Sequence, residues 1–252
     1  MLVVISPAKK LDEDYNQKIL PKFTMPPYLE NSKKIIETLR KYSLNNLSEL
    51  MNISEKISIL NYERYKKWST PFTQNNSYPA LLLFQGDVYK GIAANDFRKE
   101  DFVFAQNTLR ILSGLYGILK PLDLIQPYRL EMGTPLKIGK YNNLYDFWGN
   151  DITNEINNDV NSDYLINLAS VEYFKSVKKN FLKSKLINII FKEKKNLDYK
   201  VIGIFSKKAR GLMSRYIIKN KIKDPDKLKK FNLNRYRFNK KLSSDTNWVF
   251  TR

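Results

Sequence analysis

Apolar and polar positions change period several times along the chain, and each change marks an element. The opening run LVVIS is continuously apolar and ends at Pro7, which predicts a buried strand. MPPYLENSKKIIETLRKY starts with prolines and continues with Leu29, Ile35, Ile36 and Leu39 at helical spacing. SLNNLSELMNIS and SEKISILNYERYKKW each open on a serine suited to cap a helix. PALLLFQGDVYKGI predicts a strand followed by a glycine-bearing loop. DFVFAQNTLRILSGLYGIL predicts a helix from Asp101, a strand or helix end at residues 109–112, then a glycine turn. LYDFWGNDITNEINNDV is helical in its later part, DYLINLAS reads as a strand and VEYFKSV as a short helix. KLINIIFKE and YKVIGIFS flank the charged turn KKNLD and predict a hairpin. KKARGLMSRYIIKNKI is a basic helix, and RYRFNKKLSSDTNWVF predicts a closing hairpin.

Helical and strand patterns alternate throughout, with no Ser/Gly-rich linker and no repeat. The expected fold is therefore α/β (mixed α+β), with residues 1–252 forming a single domain around one mixed sheet. A chain of 252 residues, 42% hydrophobic and 13% aromatic, has enough apolar surface for a sizeable core. No stretch approaches the roughly 18 apolar residues of a membrane helix. The start meets proline and charge too soon for a signal peptide. A cytoplasmic protein without membrane contact is expected.

Charge changes this picture, because it is one-sided. Residues 1–170 hold 20 Lys and Arg against 19 Asp and Glu, whereas residues 171–252 hold 24 against 6. Nearly all of the formal net charge of +19 thus sits in the last third, the footprint expected of a polyanion-binding face. The chain is rich in Lys, Asn, Ile and Tyr, so codon bias would explain some basicity, but not its segregation. The complete absence of His and Cys removes thiol nucleophiles, Ser-His-Asp triads, histidine bases and Cys/His zinc sites. Any catalysis must use Asp, Glu, Lys, Tyr, Ser or Arg. No resident metal and no cofactor are expected.

Five stretches carry candidate chemistry. SPAK places Ser6 and Lys9 after a strand, where open α/β sheets bind ligands. FQGDVYKG offers Asp87 and Tyr89 beside Gly86, with neither a Walker nor a Rossmann glycine pattern. LSGLYGILKP has the grammar of a helix–hairpin–helix, in which Gly114 and Gly117 would present backbone N–H groups to a phosphate. PYRLEMG pairs Arg129 with Glu131, either a phosphate fork or a plain ion pair. KKARGLMSRY gathers Lys207, Lys208, Arg210 and Arg215 on one helix, with Gly211 allowing close approach of another backbone. With Lys175, Lys178 and Lys179 these residues form the heart of the basic region.

Taken in order, MLVVISPAKKLD, LLLFQGDVYKGI, RILSGLYGILKPLDLIQPYRLEMG, LYDFWGNDIT, INLASVEYFKSV and KKARGLMSRYII resemble the YaaA family, the peroxide stress resistance proteins of bacteria. The resemblance covers almost the whole chain. It implies a cytosolic protein that protects against hydrogen peroxide, keeps unincorporated iron low and binds DNA, on an α/β fold with a helix–hairpin–helix-like element and a positively charged cleft. It places the hairpin at residues 112–119, the basic helix at Lys207, Lys208, Arg210 and Arg215, and family-typical polar residues at Ser6, Lys9, Asp87, Arg129, Glu131, Asn167, Ser170 and Glu172. Gln85 and Ser206 depart from the family pattern. No reaction follows from the resemblance.

The leading expectation is a protein of the peroxide stress response that grips double-stranded or branched DNA through phosphates. Its contacts would be Gly114, Gly117, Arg129, Lys175, Lys178, Lys179, Lys207, Lys208, Arg210 and Arg215. The alternative is an enzyme acting on a nucleotide or nucleobase. There Asp87, Glu131 or Glu172 would serve as acid or base, and Ser6 or Lys9 as nucleophile or electrostatic partner. An iron-sequestering protein ranks third, because carboxylates are scarce in the basic third and redox-iron sites usually include histidine. A closed pocket of Lys9, Asp87, Arg129 and Glu172 would favour the enzyme; an open basic groove would favour binding alone.

Overall fold

The apolar run after Met1 forms β1 (Leu2–Ile5), fully buried along its length. The computed structural model describes residues 1–14, 22–159, 163–196 and 198–252. After the short β2 (Lys10–Leu11) come three helices, α1 (Leu29–Leu39), α2 (Leu44–Met51) and α3 (Glu55–Lys67). Ile35, Ile36 and Leu39 are buried, as their spacing predicts, and Ser43 caps α2 by accepting the Asn46 N–H. Ser54 stands at the start of α3 without a side-chain cap bond.

PALLLFQGDVYKGI departs from expectation. It forms β3 (Tyr78–Pro79), α4 (Ala80–Leu83), β4 (Phe84–Gln85) and then α5 (Asp87–Ile92). The Ala-Leu run is buried on every side, so its pattern cannot separate strand from helix, and Pro79 presets the φ of a helix entry. Beyond it, α6 (Lys99–Thr108) leads directly into β5 (Leu109–Ser113).

The helix–hairpin–helix expected at residues 112–119 is instead a β-hairpin. β5 pairs antiparallel with β6 (Gly117–Leu119), with Ser113 opposite Gly117. The turn is buried: a Cβ on Gly114 would lie 2.4 Å from the Leu130 carbonyl oxygen, and Gly117, at φ +71°, packs on the Trp148 ring. Its glycines serve packing, and neither is exposed to a phosphate. Apolar runs on both sides of a glycine pair read equally as two strands or two helices. Helices joined by short turns lie elsewhere, as between α2 and α3 across residues 52–54.

The remaining elements are β7 (Leu124–Ile125), α7 (Leu144–Trp148), α8 (Asp151–Asn158), β8 (Tyr164–Asn167), α9 (Val171–Phe174), β9 (Lys185–Lys195), β10 (Asp198–Lys200), α10 (Gly203–Lys219), β11 (Arg237–Phe238) and β12 (Asn247–Thr251). The predicted hairpins β9–β10 and β11–β12 form, but GIFS belongs to the first turn of α10. Val160 and Leu197, within predicted elements, lie outside the described residues.

Eight strands form the main sheet, in the order β11-β12-β9-β8-β1-β5-β6, with β10 added to β9. The pairs from β12 through β9, β8 and β1 to β5 are parallel, and the outer pairs are antiparallel. The fold is thus mixed α/β. From β1 the chain moves to β5 on one side, and from β8 to β9 on the other. The loops leaving β1 and β8 therefore diverge, which opens a crevice at the carboxyl ends of these two strands. No helix among the described residues is long and apolar enough to cross a membrane.

Helix α10 crosses α5 at backbone contact. A Cβ on Gly211 would sit 2.0 Å from the Val88 carbonyl oxygen and 2.9 Å from the Gly91 Cα. Gly211→Ala should therefore cost about 3 kcal/mol or more in urea unfolding, since backbone lines the contact and no side chain can yield. Gly203→Ala, with nothing within 4 Å of its added methyl, should be neutral or stabilise by about 0.5 kcal/mol. Equal effects at the two sites would contradict this packing.

Asp123 supplies a pH test of the fold. It is fully buried, accepting the Thr24 hydroxyl at 2.5 Å and the Lys120 N–H at 2.7 Å, and burial raises its pKa from 3.8 to about 6. The folded state holds this proton more tightly than the unfolded chain. Its contribution is complete below about pH 4 and is lost as pH rises through 6, on the order of 3 kcal/mol. Stability should fall over that window in the wild type, and Asp123→Asn should flatten the fall. An unchanged pH profile in the variant would contradict the assignment.

Candidate functional site

The crevice between the ends of β1 and β8 is a cavity of about 430 Å³ with several charged side chains in its lining. Ser6 and Lys9 reach it from the loop after β1, Ser170 and Glu172 from the loop after β8, Asp87 and Tyr89 from the start of α5, Glu131 from the loop after β7, and Lys207 and Arg210 from α10. These positions share only their place after a strand or at a helix start. The fold brings them together because β1 and β8 are parallel neighbours and the α5–α10 crossing carries α10 across the strand ends. Gln85, noted from sequence only as a departure from the family pattern, also lines it, as do Lys10 and Tyr173, which were not singled out.

The two loops are tied to each other. The Ser170 N–H donates to Ser6 Oγ at 2.8 Å, the two hydroxyls stand 3.3 Å apart, and the buried Tyr89 hydroxyl donates to the Ser6 carbonyl at 3.1 Å. Burial pushes the Tyr89 and Tyr173 phenols well above their ordinary range, so both remain protonated donors. Among the described residues no carboxylate or amine is bonded to Ser6, whose hydroxyl serves here as a tether between loops.

The carboxylates are held differently. Glu131 bridges Lys9 at 2.7 Å and Arg129 at 3.4 Å. Arg129 thus stands behind Glu131 and does not line the cavity; its Nε is buried without a partner. Glu172 accepts the Gly133 N–H at 3.0 Å, and the Tyr145 hydroxyl fixes the Glu172 carbonyl at 3.0 Å. Asp87, Lys207 and Arg210 have no ion-pair partner among the described residues. The Arg210 Nε is buried and unpartnered, and burial lowers its proton affinity. The wall nearest α10 thus carries unneutralised charge.

Arg210 also lines a second cavity, a cleft of about 680 Å³ on the far side of α9. Lys175, Lys178 and Lys179 line it with the exposed Val171 and Phe181. Its floor carries a row of amides across three parallel strands: Asn167 opposes Asn188, and Asn188 opposes Asn247. Asn167 donates to Asn188 at 2.9 Å and Asn188 to Asn247 at 3.0 Å. Sequence contained a signal for this row, since Asn167 and Asn188 each end a Leu-Ile-Asn triplet. Only strand pairing puts the triplets side by side.

Other expected contacts are placed elsewhere. Arg215 is consumed internally: its guanidinium donates to the Ile92 and Ala93 carbonyls at 2.9 and 3.0 Å and forks onto Asp96 at 2.9 and 2.5 Å, clamping α10 to the end of α5. It is a fold contact, with both terminal nitrogens of the guanidinium committed to the end of α5 and to Asp96. Lys208 is exposed on α10 and lines neither cavity. Gly114 and Gly117 lie in the buried hairpin. A larger cavity, about 1100 Å³, opens at the opposite strand ends around Leu2 and Tyr164, and includes no predicted site residue. Among the described residues no group of three or more Asp, Glu, His or Cys could hold a metal ion.

A family model described as "Peroxide stress protein YaaA" matches residues 1–242. The chain is also similar along its whole length to UPF0246 proteins. It is 52% identical to one from Colwellia psychrerythraea, over all of this chain and 99% of that one. It is 53% identical to one from Acaryochloris marina, over all of both. A third, from Saccharophagus degradans, is 51% identical over all of this chain and 99% of its own.

Proposed function

The chain belongs to the peroxide stress protein YaaA family, and on that premise we propose that it acts on DNA, holding it by the phosphates and limiting iron-driven damage there. The observation that carries this reading is the division of the cations in the last third. Arg215, Lys219, Lys221, Lys229 and Arg252 are spent on internal carboxylates. Lys175, Lys178, Lys179, Lys207 and Lys208 have no ion pair among the described residues, and four of these five line the two cavities that share Arg210. Cations left unneutralised around one opening attract a polyanion and release its counterions. The DNA contacts of this reading are those five lysines with Arg210; Gly114, Gly117 and Arg215 are not among them. On this reading iron is limited through what happens at DNA; among the described residues the site carboxylates Glu131 and Glu172 are held separately, by Lys9 and by the Gly133 N–H.

A second reading has its own support. The 430 Å³ cavity falls in the ordinary size range of small-ligand sites, and Lys9, Asp87, Glu131 and Glu172 converge on it. That convergence is what an enzyme acting on a nucleotide or nucleobase needs. With Glu131 neutralised by Lys9 and Arg129, the uncommitted carboxylate is Asp87, which we assign as the acid–base candidate of this reading.

Duplex binding should weaken with salt along a log–log slope of several units, at about 0.9 per phosphate neutralised. The combined change Lys175→Glu, Lys178→Glu and Lys207→Glu should lower affinity at least 100-fold at about 100 mM salt. It should leave the melting temperature close to wild type, because none of the three side chains is ion-paired. A folded triple variant with unchanged affinity would contradict the reading.

A further inference from the structure

The two cavities that share Arg210 differ in a way that says what enters each. The larger cleft offers lysines, exposed apolar side chains and a row of amides, which suits a nucleic-acid strand with its phosphates on the lysines and its bases against Phe181 and Val171. The smaller cavity is set back between two loops, with Tyr89 and Tyr173 in its wall and an uncommitted carboxylate, Asp87, at its edge. At about 430 Å³ it holds one nucleotide and cannot admit a duplex. A base that reaches Asp87 must have left the helical stack. Between the cavities stands Arg210, half-buried, without an acidic partner among the described residues and with its Nε buried and unsatisfied. A cation partly withdrawn from water and left unpaired is costly, and a ligand phosphate is the group that would neutralise it by a two-pronged contact.

We propose that this pair of cavities is a seat for one extruded, unpaired nucleotide of a DNA strand: its base in the smaller cavity, its phosphate on Arg210, and the flanking strand along the lysine-lined cleft. The inference rests on the DNA reading above and adds to it the form of DNA preferred. The tyrosine rings bound the base, and Asp87 accepts from a ring or exocyclic N–H on its pairing edge, which is free only when the base is unpaired. The amide row of Asn167, Asn188 and Asn247 lies along the path of the neighbouring bases.

The experiment compares a fully matched duplex of about 20 base pairs with the same duplex carrying one bulged 2-aminopurine nucleotide, at about 100 mM salt. The wild type should bind the bulged duplex at least 10-fold more tightly, and the 2-aminopurine emission should change on binding. Arg210→Met should bring the ratio of the two affinities to within about 2-fold, as should Asp87→Ala by a different contact. Arg210→Met should also melt no lower than wild type, since it removes an unpaired, half-buried charge with a buried unsatisfied Nε, so a lost preference is not a folding defect. Equal affinity for the two duplexes, or a preference that persists in both variants, would overturn the nucleotide seat and leave the phosphate grip standing. Failure to bind either duplex would overturn both.

Discussion

Backbone contact between α5 and α10 is the constraint on which the site depends. Gly211 and Gly91 let two helices approach until the Val88 carbonyl fills the space where a side chain would begin. Arg215 then locks the pair by capping the last carbonyls of α5 and forking onto Asp96. Lys219 and Lys221 add a second lock at Asp101, where burial opposes ionisation but the two ammonium groups hold the pKa at about 2. With α10 held at this height, Arg210 faces the strand ends and Lys207 the mouth of the crevice. The site is therefore built from loops of the sheet on one side and a helix clamped from behind on the other.

The same clamp divides the positive charge. The end of α10 spends its cations on carboxylates of the first half of the chain, which makes them part of the fold. The cations at the beginning of α10 and around α9 form no ion pair among the described residues and so remain for a ligand, although Asp87, Glu131 and Glu172 line the same crevice as Lys207 and Arg210. Net charge alone treats these two groups alike. Structure separates them by where Asp96 and Asp101 lie, and the second group is the one gathered around the two cavities that share Arg210.

Much of this was legible in the chain. β1, α1, α2 and the β9–β10 and β11–β12 hairpins follow directly from their periodicities, and the family from motifs spread over its length. Ser6, Lys9, Asp87, Glu131, Ser170 and Glu172 were found because each follows a strand or opens a helix, and a parallel sheet gathers such positions at one edge. What failed did so for identifiable reasons. Residues 80–83 and 112–119 are buried on all sides, and without a polar face there is no period to read. Arg215 looked free because its partner, Asp96, lies 119 residues earlier. The amide row was hidden because its members become neighbours only when β8, β9 and β12 pair.

In the proposed function DNA lies on the lysines around Arg210 and not on the basic surface at large. Lysine acylation footprinting with and without duplex DNA tests it most directly. The account predicts strong protection of Lys175, Lys178, Lys179, Lys207 and Lys208, with no change at the exposed Lys33, Lys34 and Lys41 of the first helical segment. Protection spread evenly over all exposed lysines, or confined to residues outside the two cavities and α10, would contradict it.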